Sequence, residues 1–177
     1  MKNFLRLSSI LAKTNLKVKY GKISLGILWY LLEPLLTFIL LSFIFSTTFG
    51  KTIENYNLYL FIGIIMMHFF QQATIESSKM IVINKSLIKS SYFKREALIG
   101  STIAKTSFLH LFEIIILFIF LSIVNIPKIN IIFYIPALIL LAIFSDGVGL
   151  ALSSLTVYFR NIENVWIFVA RLLWFVT

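Results

Sequence analysis

The chain is written in long apolar blocks with short polar breaks between them. Residues 27–49 carry one formal charge, Glu33; residues 58–75 carry none; residues 106–126 carry only Glu113, and residues 131–159 only Asp146. A helix needs about 20 apolar residues to cross a hydrocarbon core of about 30 Å, because each residue rises about 1.5 Å. Four blocks meet that length and predict an all-α polytopic membrane protein with transmembrane helices at 31–50, 57–76, 103–126 and 131–157. A fifth block opens at 165 and reaches 177 after about 13 residues, or about 20 Å of helix, which is short of a crossing. On this reading the sequence stops inside its fifth transmembrane helix.

Residues 1–24 follow a different pattern. On a helix at about 100° per residue, Lys2, Arg6, Lys13 and Lys17 fall within an arc of about 60°, and Phe4, Leu7, Leu11 and Val18 fall opposite them. The expected element is an N-terminal amphipathic helix lying in the membrane interface, either a basic anchor that orients the first span or a helix that moves during transport. A cleaved signal peptide would show a short apolar core followed by a small-residue cleavage site, whereas this segment is basic and interrupted.

Charge adds an orientation. Hydrophobic residues make up 59% of the 177 and charged residues 13%, with a mean hydropathy of +0.96, far from the balance of a soluble domain. Lys2, Arg6, Lys13, Lys17, Lys19 and Lys22 precede the first span. Lys79, Lys85, Lys89, Lys94, Arg95 and Lys105 lie in or beside the connection between spans two and three, while only Lys51 and Lys128 occupy the other two connections. The positive-inside rule then puts the N-terminus and the 76–105 segment in the cytoplasm of a multi-pass inner-membrane protein. The net charge of +9 reads as a topology signal and an attraction to anionic membrane lipids. Nucleic acid is not an expected partner, because the cations flank apolar spans and lack the interleaved aromatics of a stacking platform. Cysteine is absent, so disulfides and thiolate metal sites play no part.

Three landmarks occur in order: LGILWYLLEPLL at 25–36 with SFIFSTTFGK at 42–51, KSLIKSSYFKREAL at 85–98, and LTVYFRNIENV at 155–165. Trp29 and Tyr30 suit the headgroup level of a membrane. Pro34 predicts a helix start or kink there, because it lacks an N–H and breaks a helix interior. Glu33 beside it would favour the positive end of that helix or sit as an interfacial carboxylate in water. Together the landmarks resemble the membrane subunit of ABC-2-type exporters, in particular the permeases for O-antigen (lipopolysaccharide) and for teichoic-acid or polyol-phosphate polymers. The resemblance covers essentially the whole chain. It runs through Leu25, Gly26, Leu28, Trp29, Leu32, Pro34, Leu35, Phe49 and Gly50, then Phe93 and Arg95, then Phe159 and Arg160. Lys94 stands where the family usually has proline, and Asn161 where it has aspartate; the Asn161 side chain is still expected to cap the next helix.

The resemblance implies that the transmembrane domain begins at 25 and that the cytoplasmic coupling segment, 77–100, docks into a cleft of a separate ABC nucleotide-binding ATPase subunit. Leu87, Ile88, Tyr92 and Phe93 would enter that contact, with Lys85, Lys89 and Arg95 around its rim. Trp29, Glu33 and Pro34 would stand at the entrance of the first span, and Phe159, Arg160 and Asn161 at the junction of spans four and five. It further implies a permease homodimer, a lipid-linked glycan polymer as substrate, ATP and magnesium on the partner, and no cofactor on this chain. Family members usually continue through a re-entrant region to a sixth span.

Glu113, Asp146 and Arg171 fall at middle depths of their helices, where an unpaired charge is costly. Spans four and five are antiparallel neighbours, so Arg171 is expected to pair with Asp146, with Glu113 as second choice; lining the transport pathway is the alternative. His68, Gln71 and Gln72 would bond helix to helix or to a polar substrate. His68 and His110 lack a second ligand at metal-site spacing, and no metal is expected. The sequence contains no phosphate loop, so ATP hydrolysis belongs to another subunit, and no nucleophile and base stand out. The expected function is that of a non-enzymatic permease subunit moving lipid-linked polysaccharide or a teichoic-acid-type polymer. An ABC-2 drug or lipid exporter and a non-transport protein of envelope assembly are the alternatives.

Overall fold

The computed structural model describes residues 23–50, 53, 55–85, 88, 96–123 and 132–176, so the amphipathic helix expected over 1–24 lies almost wholly outside the described residues. Five helices follow in order: α1 Ile23–Phe49, α2 Tyr56–Ile83, α3 Glu96–Ile123, α4 Tyr134–Tyr158 and α5 Ile162–Val176. Among the described residues there is no strand. The first four helices are long and apolar enough to cross a membrane, and α5 has 15 residues. Helix is the form such blocks must take, since hydrocarbon offers no partner to an open backbone N–H or C=O.

The helices overrun the apolar blocks. Both α2 and α3 are 28 residues long, because Glu76, Ser77 and Ser78 continue α2 while buried against neighbours, and Ser101, Thr102 and Lys105 do the same near the start of α3. Hydropathy marks where apolar residues stop; a helix continues wherever its polar side chains find partners. Of the start or kink expected at Pro34, the start is excluded. That residue lies inside α1, which starts eleven residues earlier at Ile23. The missing N–H leaves the Tyr30 carbonyl without its helical donor, an omission that membrane helices tolerate through neighbouring groups.

Local chemistry fixes the ends. At Gly50, whose N–H bonds the Ser46 carbonyl at 3.0 Å, a Cβ would lie 2.3 Å from that same oxygen; only glycine fits this close approach. Asn55 precedes α2 in the left-handed region, φ 55° and ψ 38°, which asparagine tolerates better than most residues. Its carbonyl accepts from Leu58 and Tyr59 at 2.9 and 3.2 Å. Between α4 and α5 only Phe159, Arg160 and Asn161 intervene. Phe159 is extended, its N–H bonded to Leu155 O at 2.9 Å and its carbonyl accepting from Ile162 at 3.1 Å.

Helix α2 is the hub, packed on all four others and most extensively on α4. One apolar cluster gathers Phe61, Ile65, Leu117, Leu121 and Tyr134 near the α2 start, and another gathers Met80, Leu98 and Ile99 near its end. Between them the helices meet through small residues. Ser145, Gly149 and Ser153 form a four-residue ladder on the buried face of α4, opposite Ala73 and Ser77 of α2. Lipid gives no hydrophobic drive for helices to associate, so close backbone approach through small side chains supplies it.

Candidate functional site

The landmarks after α2 and after α4 converge at one end of the bundle, the end where the basic residues gather. A cavity of about 310 Å³ there is lined by Ile81, Val82, Lys85, Ile88, Thr156, Val157 and Arg160. The Ile88 N–H bonds the Asn84 carbonyl at 3.0 Å, and its half-buried side chain packs on Met80, Leu98 and Ile99. Ile88 is thus held partly against the chain's own core where it lines this cavity. Leu87, Lys89, Tyr92, Phe93 and Arg95 lie outside the described residues. Phe159, Arg160 and Asn161 are all exposed. Asn161 meets α5 through its carbonyl, 3.1 Å from the Val165 N–H.

Two ion pairs hold this end together. Glu76 of α2 and Lys105 of α3 are in direct contact and both buried. Lys79 Nζ lies 3.2 Å from Glu163 Oε1 of α5. Helix α5 is further tied to α2 by Gln71 Nε2, which donates to the Ala170 carbonyl at 2.6 Å, and by Trp166 Nε1, which donates to Thr74 Oγ1 at 3.0 Å. Gln71 thus bonds helix to helix.

Deeper in the bundle lies a buried polar network absent from the sequence reading. His68 Nδ1 is 2.6 Å from Glu113 Oε1, and His110 Nδ1 is 2.5 Å from Glu113 Oε2. His110 Nε2 in turn lies 2.6 Å from the Tyr134 hydroxyl, and His68 Nε2 lies 3.5 Å from Glu33 Oε2. The Tyr30 and Phe69 rings pack against the imidazoles, with centroids 4.7 Å from His68 and 5.2 Å from His110. Each imidazole turns one nitrogen to a different oxygen of Glu113, and among the described residues no three such groups converge to hold a metal ion.

This arrangement corrects the expected intramembrane pairing. Glu113 already holds two histidines, and Arg171 is exposed. Asp146 Oδ1 is buried without a hydrogen-bond partner among the described residues. Neither carboxylate meets Arg171, because the packed face of α5 is the one bearing Glu163, Trp166 and Ala170. Glu33 is not simply an interfacial carboxylate in water, since it reaches His68, although its side chain is 64% exposed. Pro34 beside it is buried, and Trp29 is 69% exposed.

The missed pairs had a signal. Going from His68 to Glu76 advances eight residues along α2, and going from Glu113 back to Lys105 advances eight along α3. One antiparallel register therefore forms both contacts, and Phe61 with Phe120, seven residues further on each helix, obeys it too.

The chain is 27% identical over 157 residues to an "O-antigen export system permease protein RfbA" of Klebsiella pneumoniae, and 28% identical over 158 residues to another of the same description and organism. Both alignments cover 88% of this chain and 61% of the relative, so the chain spans about three fifths of the length of the curated relatives it matches. The profile of the family described as ABC-2 type transporter matches residues 6–177. Spanning helices, landmarks and match coincide, and the chain belongs to the ABC-2 type transporter family.

Proposed function

We propose that the chain is the membrane-embedded part of a permease subunit in an ATP-driven exporter, one of two like subunits around a path for a lipid-linked polysaccharide. The basic end faces the cytoplasm, and a separate nucleotide-binding subunit, carrying ATP and magnesium, docks there. The observation that supports this most is the shared cavity at that end. The segment after α2 and the α4–α5 turn, distant in sequence, both line it, with Lys85 and Arg160 at its wall. A partner that moves this segment would thereby act on α2, the hub, and on α4 and α5 together, shifting the helices between two states. The substrate class follows the O-antigen export described for the two relatives; a teichoic-acid-type polymer is the neighbouring choice.

Detergent co-purification with the cognate phosphate-loop ATPase tests the reading. Co-purification is expected for the native sequence, and combined Lys85→Glu and Arg160→Glu should abolish it while membrane insertion persists. A correctly inserted protein that never co-purifies with an ATPase would overturn it.

A further inference from the structure

Five titratable groups from four helices form one chain of contacts: Glu33 of α1, His68 of α2, Glu113 and His110 of α3, and Tyr134 of α4. Every contact joins two atoms that bear lone pairs, so each is attractive only with one proton between them. Three protons serve the two Glu113–imidazole contacts and the His110–Tyr134 contact. Wherever each of those three sits, the four buried groups then carry a single negative charge, equivalent to an ionised Glu113 beside neutral rings and a neutral phenol.

The remaining atom is His68 Nε2. It is buried, makes no hydrogen bond among the described residues, and lies 3.5 Å from Glu33 Oε2. Without a fourth proton its lone pair faces a carboxylate, and a net negative charge stays buried in the bundle, where charge is expensive. With that proton, His68 is cationic between two anions, the buried four are neutral, and the contact with Glu33 becomes attractive. Facing His68 are Tyr30 and Glu33 from α1 and Glu113 from α3, with His110 and Tyr134 beyond Glu113. On α2 itself the next charge is Glu76, two turns away.

We propose that His68 Nε2 is a proton-binding site within the transmembrane bundle, and that the bound proton latches α1 to the α2–α3 pair through Glu33. Glu33 is exposed enough to pass the proton in, and His68 is 4% exposed, which keeps it there. Helix α1 packs only on α2 and α3 among the described helices, so this contact bears directly on its attachment.

The chain has two histidines and no cysteine, which suits two measurements on the permease in lipid bilayers. Nitrogen NMR of 15N-histidine-labelled protein near neutral pH is expected to show one doubly protonated ring and one neutral ring. His68→Gln should remove the first, and Glu33→Gln should convert it to the neutral form at the same pH. Two neutral rings in the native protein, or a doubly protonated ring untouched by Glu33→Gln, overturns the proton site. Spin labels at Ile39→Cys on α1 and Ile119→Cys on α3, both exposed, test the latch. Their distance distribution should be narrow at about pH 6 and broaden at about pH 11, far beyond the range where a histidine normally holds its charge. Glu33→Ala, which removes the carboxylate without supplying another donor, should broaden it already at the lower pH; an unchanged distribution in both comparisons overturns the latch.

Discussion

Gly149 of α4 lies so close to Ser77 of α2 that a Cβ added to it would come 2.7 Å from the Ser77 Cβ, 2.9 Å from its hydroxyl oxygen and 3.3 Å from Ile99 Cγ2. Backbone approach of this kind is what holds the two most extensively packed helices together in a solvent as apolar as their own side chains. Gly149→Ala should therefore lower stability in detergent by about 1–3 kcal/mol, the usual effect of overpacking. Gly149→Leu should do more. Ser77→Gly, which removes the opposing Cβ, should recover most of the Gly149→Ala loss in a thermal unfolding series; no recovery would show that the contact does not set the spacing.

The Glu76–Lys105 pair carries a different prediction. Both side chains are buried, 7% and 3% exposed, so removing one takes a counter-charge away from a buried ion. Glu76→Leu or Lys105→Met alone should lower stability by about 3–5 kcal/mol. The double substitution should lie close to the native protein, because a buried pair replaced by apolar residues leaves no bare charge. Unfolding of the four proteins, read as a double-mutant cycle, checks this.

Lys79 and Glu163 are each about a third exposed, at 37% and 30%, and their 3.2 Å contact is correspondingly modest. Lys79→Glu is expected to loosen α5 by at most about 1 kcal/mol, an effect that added salt diminishes. Exchanging the two residues should restore it. Protease access to the α4–α5 turn provides the readout.

Ile88 separates two roles for the segment after α2. Since its side chain packs on Met80, Leu98 and Ile99, Ile88→Ala should reduce the thermal stability of the permease in the absence of any partner, by about 1–2 kcal/mol given partial burial. An unchanged stability combined with weakened ATPase binding would place Ile88 outward instead.

Much of the fold is legible in the sequence. Helices α1 to α4 lie on the four apolar blocks that begin at 27, 58, 106 and 131, because crossing hydrocarbon is a local property, set by length and hydropathy along one helix. The Gly50 and Phe159–Asn161 landmarks became a helix end and an interhelical turn for equally local reasons. At Pro34 local chemistry left a start and a kink open, and the helix running through it from Ile23 excludes the start.

The sequence by itself determined that this is a helical membrane protein of a transporter family, with its spanning blocks and basic connections in place. Only the tertiary structure decided which charges meet. Glu113 joins His68 and His110 instead of Arg171, and Glu76 joins Lys105, because pairing depends on the register and rotation of separate helices. The equal eight-residue steps on α2 and α3 encode that register, yet they acquire meaning only once those two helices are known to lie side by side in antiparallel contact.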